Sequence, residues 1–185
     1  GDGTFCGIEQ GELALEEGRD YIGYVIAAGE ESASPLWVRL IWGDTEEESQ
    51  TVRIDSIVPA YTKYPFTFTA QASTAKGRLQ IGSAGKGVVF IGTASLMPAD
   101  NIQGFRADTM ALLKELDSPV YRWPGGNFVS DYNWKDGIGD RDKRPPRKNP
   151  AWTGIESNDV GIHEFMEFCT LLSTEPYIAV NTGKG

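Results

Sequence analysis

The stretch between Trp123 and Asn158 contains the residues best suited to chemistry. It covers about 34 residues with little helical or strand periodicity, and loops of that length in compact domains are usually functional. Aromatic rings, amides and carboxylates are interspersed along it. These residues are Trp123, Asn127, Asp131, Tyr132, Asn133, Trp134, Asp136, Trp152, Glu156 and Asn158. Aromatic rings stack on sugar rings, and amides and carboxylates bond sugar hydroxyl groups. This composition is typical of a sugar pocket.

A purely structural role for the same loop stays open. Tryptophan packing and Arg–Asp pairs would also hold such a loop in place. Pro124-Gly125-Gly126 predicts a tight turn, which would either admit a ligand close to the backbone or simply reverse the chain. Asp140 precedes the basic stretch 141–148 and Asp142 interrupts it, which favours an ion-paired loop over an anion site.

Cysteine and histidine usage excludes several other chemistries. Cys6 and Cys169 are too few and too far apart for a disulfide framework or a zinc site, and both are predicted to be small buried hydrophobic residues. The single histidine, His163, excludes a histidine-rich metal site and is predicted to lie on the flank of a helix. No metal and no organic cofactor is expected.

Charge limits the classes of partner. The chain has 26 acidic and 17 basic residues and a formal charge of −9, which argues against binding nucleic acid or an anionic membrane. No apolar run reaches the length of a transmembrane helix. Gly1-Asp2-Gly3-Thr4 has neither the basic nor the apolar region of a signal peptide. The compartment is therefore not predicted, and secretion remains compatible with the sequence.

The sequence pattern of the first half of the chain predicts an antiparallel β-sandwich. Six short runs are predicted as strands, several of them alternating with period two, and they are separated by turn residues. The runs are Tyr21–Ala27, Leu36–Trp42, Thr51–Ile57, Phe66–Ala70, Arg78–Gly82 and Val88–Ala94. In the second run, Leu36, Val38, Leu40 and Trp42 share one face, and Trp37 lies on the other.

The second half alternates helices and strands. Helical spacing is seen over 105–116 and 162–172, with Asn158 or Asp159 as the candidate N-cap of the second helix. Strand patterns occur at 120–123 and 177–181. This order predicts a parallel sheet or barrel, in which the loops after strands build the site.

Ordered motifs in this half resemble one enzyme family. They are Ser95-Leu96-Met97-Pro98, Arg122-Trp123-Pro124-Gly125-Gly126-Asn127-Phe128, Tyr132-Asn133-Trp134-Lys135-Asp136-Gly137-Ile138-Gly139, Arg144-Pro145, Ala151-Trp152, Glu156-Ser157-Asn158, Glu164-Phe165 and Asn181-Thr182-Gly183-Lys184-Gly185. Over about residues 87–185 the chain closely resembles α-L-arabinofuranosidases of glycoside hydrolase family 51.

The resemblance implies a fold and an activity. The fold is a jelly-roll-like β-sandwich resembling a carbohydrate-binding module, residues 1–90, followed by the early part of a (β/α)8 TIM barrel, residues 91–185. The activity is retaining hydrolysis of terminal non-reducing α-L-arabinofuranosyl groups of arabinoxylan, arabinan or arabino-oligosaccharides. The acid/base and nucleophile glutamates are expected on later strands, so no catalytic residue is assigned here and the chain is interpreted as an internal fragment.

The resemblance also nominates substrate-binding residues. These are Asn127 and Phe128 after the glycine pair, Trp152 in the cleft, and Asn181 at the end of the next strand. Two departures from the family pattern, Asp131 in place of a frequent glycine and Lys184 within the final motif, predict a different loop shape.

An alternative function is a non-catalytic fragment that binds polysaccharide through the sandwich. The candidate stacking platforms are Trp37, Trp42, Tyr61 and Tyr64. Because Trp37 and Trp42 lie on opposite faces of their strand, at most one points outward. An outward Trp37 on a flat sheet face would favour binding, whereas a third interpretation is that the sandwich only supports the barrel. Expected partners are an arabinose-containing saccharide, the remaining segments of the enzyme and further copies of the chain in a homo-oligomer.

Overall fold

The computed structural model describes residues 6–149 and 151–182. The chain divides into two units, 1–106 and 107–185, and each is described by itself. Of the predicted motif at 181–185, the residues Gly183, Lys184 and Gly185 lie outside the described residues. Lys184 therefore stays a prediction from sequence.

The first unit contains two antiparallel sheets. The four-stranded sheet has the order β1-β6-β3-β4, and the three-stranded sheet has the order β5-β2-β7. The strands are β1 Cys6–Leu15, β2 Asp20–Gly29, β3 Leu36–Ile41, β4 Ser49–Ile54, β5 Thr62–Thr69, β6 Thr74–Ser83 and β7 Val89–Pro98. The predicted β-sandwich is confirmed. Strand β7 pairs with β2 along its whole length, so this unit extends past residue 90.

The core of the sandwich is built from the alternating residues of both sheets. Leu36, Val38 and Leu40 of β3 are fully buried, as the alternation predicts. They pack with Phe66 and Phe68 of β5, whose ring centroids are 5.3 Å apart. Inward side chains of the two sheets therefore form one continuous apolar layer.

The second unit is a β-α-β arrangement preceded by a helix. Helix α1 is Ala107–Leu116 and helix α2 is Ile162–Leu172; strands β8, Val120–Trp123, and β11, Glu175–Ile178, are parallel neighbours. The segment between β8 and α2 forms 3₁₀ turns at Asn127–Asp131, Trp134–Gly137 and Arg141–Lys143 and a small antiparallel pair, β9 Arg147–Lys148 and β10 Ile155–Glu156. The predicted helix and strand order is confirmed, and the barrel beyond it stays a prediction.

Helix α2 covers one face of this parallel pair. Tyr121 meets Phe168 edge-on at 5.2 Å between centroids, and Trp123 stacks on Phe165 at 6.1 Å. The alternate residues Val120 and Tyr177 are exposed on the other face. One face is therefore packed and the other is bare within the described residues.

Three smaller expectations have mixed outcomes. Cys169 is buried on α2 as predicted, but the predicted burial of Cys6 is wrong, because Cys6 begins an edge strand and is exposed. His163 is exposed on α2.

Among the described residues, none of the helices is long and apolar enough to cross a membrane.

The core predicts a matched pair of substitutions on β5. Phe68→Ala removes a fully buried ring and should lower the free energy of unfolding by about 3–5 kcal/mol, through lost burial and a residual cavity. The neighbouring Thr67→Ala, on an exposed side chain, should change it by less than about 0.5 kcal/mol. Urea denaturation followed by far-UV circular dichroism measures both. Equal effects would mean that β5 is not packed in this register.

Candidate functional site

The chain reverses direction immediately after β8. The Trp123–Pro124 peptide bond is cis, and Gly125 has a φ of +124°. A side chain at such a φ is strained, so the predicted turn requires glycine at this position. The turn Asn127–Asp131 follows directly and begins the long loop.

A buried ion pair fixes this loop to helix α2. Arg144 donates from Nη2 to Glu164 Oε1 at 2.8 Å and from Nη1 to Glu164 Oε2 at 2.9 Å. The same guanidinium donates to the carbonyl of Gly139 at 2.9 Å and to that of Asn158 at 2.9 Å. Both side chains are buried, and the two parallel hydrogen bonds satisfy their charges.

Glu164 also begins the helix. Its Oε2 accepts a hydrogen bond from the backbone N–H of Gly161 at 2.8 Å, and Gly161 is the N-cap. The predicted caps Asn158 and Asp159 are therefore wrong. Asn158 is buried with a φ of +62°, and its amide donates instead to the carbonyl of Pro145 at 2.7 Å.

The environment of Glu164 holds its carboxyl ionised. Burial raises the pKa of Glu164, but hydrogen bonds from Arg144, the N–H of Gly161 and Arg141 outweigh burial and lower it to about 2. An ionised carboxylate can hold the loop and the start of the helix in place, and it is a poor proton donor at neutral pH.

A second ion pair orders the other end of the loop. Arg147 Nε donates to Asp136 Oδ2 at 2.8 Å. Asn133 Oδ1 accepts from the backbone N–H of Lys135 and caps the short turn that contains Asp136. The Arg–Asp pairing proposed by the structural interpretation of the loop is therefore present.

Three aromatic rings converge at the carboxyl end of β8. The rings of Trp123 and Tyr132 meet edge-on at 5.4 Å, and those of Phe128 and Tyr132 lie 4.8 Å apart. The hydroxyl of Tyr132 is buried without a hydrogen-bond partner. Burial and then the charge of Glu156 raise the pKa of Tyr132, so the phenol stays protonated.

These rings form one wall of an open cavity of about 300 Å³. Its lining residues are Trp123, Pro124, Phe128, Tyr132, Asn149, Trp152, Glu156 and Val160. Phe128 and Trp152, both predicted from sequence, thus lie in one cavity. The side chain of Trp152 is 67% exposed. A cavity of this size with aromatic walls and a few polar groups suits a small polar ligand.

Sequence reasoning missed the residue that positions Trp152. Asn149 Oδ1 accepts hydrogen bonds from the backbone N–H groups of Ala151 and Trp152, at 3.0 and 2.7 Å. This side-chain-to-backbone turn fixes where the tryptophan leaves the chain. The spacing of an asparagine three residues before a loop tryptophan is the sequence signal that could have indicated this role of Asn149.

The other two predicted residues lie elsewhere. Asn181 lines a smaller adjoining cavity of about 140 Å³ that shares Trp123, Pro124 and Tyr132 with the first. Its amide donates to the carbonyl of Ser130 at 2.8 Å. Asn127 is exposed at the start of its turn and lines neither of these cavities.

A metal site is not visible in the part of the chain that the structure describes. Within residues 6–149 and 151–182, no three histidine, cysteine, aspartate or glutamate side chains group closely enough to hold an ion.

The Arg144–Glu164 pair predicts a specific pH dependence. Because the folded pKa of Glu164 lies below its ordinary value of 4.5, the ionised form stabilises the fold, and this contribution is lost as pH falls from about 4.5 to about 2. Glu164→Gln should lower the free energy of unfolding by on the order of 3 kcal/mol at pH 7. The difference from the parent chain should vanish near pH 2, as measured by urea denaturation across pH.

Glu115→Gln, which changes an exposed carboxylate on α1, is the control and should behave like the parent chain at each pH. A stability difference between Glu164→Gln and the parent that stays constant from pH 7 to pH 2 would contradict this account of the ion pair.

Comparison with known proteins shows what this part of the chain is similar to. The family model "Alpha-L-arabinofuranosidase 1 domain" matches residues 112–185. A probable α-L-arabinofuranosidase C of Aspergillus clavatus is 51% identical over 88 residues, 48% of this chain and 17% of the relative. An intracellular exo-α-L-arabinofuranosidase of Bacteroides ovatus is 45% identical over 106 residues, 57% of this chain and 20% of the relative.

One solved structure is also similar in sequence over part of the chain. The GH51 arabinofuranosidase of Xanthomonas axonopodis pv. citri is 48% identical, with a TM-score of 0.45, over 46% of this chain and 18% of that chain. The chain thus spans about one fifth of the length of the relatives it matches. Residues 112–185 are thus similar in sequence to α-L-arabinofuranosidases.

Proposed function

We propose that this chain is a segment of an enzyme that releases terminal non-reducing α-L-arabinofuranosyl groups from arabinoxylan, arabinan or arabino-oligosaccharides. The observation that carries the proposal is the cavity beyond β8, which is built by the loop that the family model matches. The relatives reported above are named arabinofuranosidases, which supports the same activity here.

The cavity has the groups that a furanose ring requires. The exposed ring of Trp152 offers a face for stacking, and Phe128 and Trp123 supply further apolar wall. Glu156 and Asn149 provide an acceptor and a donor for sugar hydroxyl groups. In this proposal Phe128 and Trp152 contact the sugar directly, and Asn127 and Asn181 contribute from the rim of the cleft.

The proposed reaction is a double displacement with retention. One glutamate protonates the leaving glycosidic oxygen, and a second attacks the anomeric carbon to form an arabinosyl-enzyme, which water then hydrolyses. We assign neither glutamate to this chain. Glu164 is buried in its ion pair, and its pKa of about 2 does not suit an acid catalyst. The residues described here would bind and orient the sugar.

The bare face of the parallel pair supports a larger barrel around this unit. Parallel sheets are normally covered on both faces, yet Val120 and Tyr177 are exposed opposite the face that α2 covers. Strands β8 and β11 pair only with each other among the described residues. Further strand and helix units of the same enzyme would pair with these edges, and copies of the enzyme would be possible partners in an oligomer.

The activity is tested on the complete protein that contains this segment. Hydrolysis of 4-nitrophenyl α-L-arabinofuranoside, followed by NMR of the first-formed arabinose anomer, should show release with the α configuration retained. The 4-nitrophenyl β-D-xylopyranoside serves as the comparison substrate. Turnover of the xyloside alone would overturn the proposed substrate, and a first product of inverted configuration would overturn the mechanism.

Trp152 predicts the size of one sugar contact. In the complete enzyme, Trp152→Ala should lower kcat/KM at least tenfold, about 1.4 kcal/mol of transition-state stabilisation, because a stacking face is lost. Ile155→Ala, also on an exposed side chain of this loop but outside the cavity, is the control and should leave kcat/KM within twofold. An unchanged kcat/KM for Trp152→Ala would remove Trp152 from the site.

A further inference from the structure

We propose that the sandwich of the first unit accepts an eighth strand, supplied by the segment of the complete protein that precedes β1 in sequence. This strand pairs with the free edge of β7 and covers the inner face of β1. The inference rests on the proposal that the chain is part of a longer protein, but it is independent of that protein's activity.

The two sheets of the sandwich differ by one strand. β4 and β5 are in contact at one side of the sandwich. From that side the sheets run β4-β3-β6-β1 and β5-β2-β7, so β3 is matched by β2 and β6 by β7. Among the described strands, β1 therefore has no counterpart in the three-stranded sheet.

One row across the four-stranded sheet shows that β1 is uncovered. Val38, Ile81 and Ile8 lie opposite one another on β3, β6 and β1, so their side chains share one face of the sheet. Val38 is fully buried and Ile81 is 2% exposed, yet Ile8 is 53% exposed. Ile8 thus points to the core side of the sheet at a position that the opposite sheet does not reach.

The three-stranded sheet shows the same gap from the other side. Tyr64, Val25 and Ala94 lie opposite one another on β5, β2 and β7. Val25 is fully buried in the core, whereas Ala94 in the same row is exposed. One further strand beside β7 would cover both Ala94 and Ile8, because strands in a sheet lie about 4.8 Å apart and packed sheets about 10 Å apart.

The free edge of β7 presents backbone groups for such a strand. The N–H of Ala99 donates to the carbonyl of Asp20 at 2.8 Å, which fixes the hydrogen-bonding phase between β7 and β2. Because backbone groups alternate along a strand, the N–H of Ser95 faces β2, and those of Ala94 and Leu96 point away from it. These two groups are donors for an added strand.

The sequence of β7 differs from that of the other edge strands of the sandwich. β4 carries Arg53, β5 carries Lys63 and Pro65, and β1 carries Glu9 and Glu12. Charges and prolines of this kind prevent an edge from pairing with further strands. β7 is ten residues long, carries no charge and has proline only at its last position. Its sequence is therefore that of an interior strand.

Chain direction assigns the eighth strand to the segment before β1. β6 reaches β7 through the short link 84–88, so β7 runs opposite to β6, and β1 also pairs antiparallel with β6. β1 and β7 therefore run the same way, and a strand that turns into β1 is antiparallel to β7. Cys6 lies opposite Ser83, at the end where β7 begins, so a short connection suffices. Eight strands in two antiparallel sheets are the number in a jelly roll.

Hydrogen–deuterium exchange, resolved to single residues by mass spectrometry, compares the chain 1–185 with the complete protein. The amides of Ala94 and Leu96 should exchange at least about tenfold more slowly in the complete protein, because each donates to the added strand. The amides of Ser95 and Met97 are the matched controls, since they face β2 and should be slow in both. Equal rates for Ala94 and Leu96 in the two proteins would overturn the proposal.

A photo-cross-link in the complete protein identifies the segment that covers this edge. p-Benzoyl-phenylalanine in place of Phe90, a 57% exposed ring on β7, should join to a peptide N-terminal to β1 on irradiation. The same amino acid in place of Thr67, exposed on the opposite edge strand β5, is the control and should not join to that peptide.

A cross-link from position 90 to another part of the protein, a cross-link to a second copy, or none at all would overturn the assignment of the strand. Neither measurement uses turnover. Failure here therefore leaves the arabinofuranosidase assay unaffected, and failure of that assay leaves the eighth strand unaffected.

Discussion

The bidentate contact between Arg144 and Glu164 is the constraint on which the second unit depends. The segment from 124 to 161 is mostly short turns, so its shape must come from side chains that bind backbone groups. Arg144 does this at Gly139 and Asn158, and Glu164 does it at Gly161. One buried pair thereby holds both limbs of the loop and the start of a helix. Its desolvation cost is offset because every charged oxygen has donors.

The ion pair also determines where the aromatic rings that line the cavity lie. Phe165 follows Glu164 directly, so the helix start that Glu164 defines also sets where Phe165 stacks on Trp123. Trp123 in turn meets Tyr132, and Tyr132 meets Phe128. These ring contacts therefore connect the ion pair to the wall of the cavity. Trp152 lies outside these contacts and is positioned separately by Asn149, which leaves its ring exposed.

Local patterns predicted the elements better than the contacts between them. Leu36, Val38 and Leu40 alternate strictly, and strand β3 followed from that alternation alone. Strand β1 was missed because its sequence, CGIEQGELAL, mixes glycine and glutamate with few apolar residues. The predicted N-cap was wrong because the helix begins only at Ile162, where Glu164 Oε2 accepts the N–H of the cap residue Gly161. The ion pair joins residues 20 positions apart, and nothing in local periodicity indicates such a partner.

The two units differ in how complete they are as packed structures. In the sandwich, both sheets turn apolar faces inward, and Phe68, Leu36 and Val25 are fully buried. In the second unit, one sheet face is bare and two leucines of α1, Leu112 and Leu116, are about two-thirds exposed. A two-stranded parallel sheet with one covered face leaves apolar surface and strand edges in water, which is unfavourable. Under the proposed barrel, these same surfaces would become interior. The cavity beyond β8 would then form one part of a ring of loops, and the sandwich would keep its own core whether or not that ring is closed.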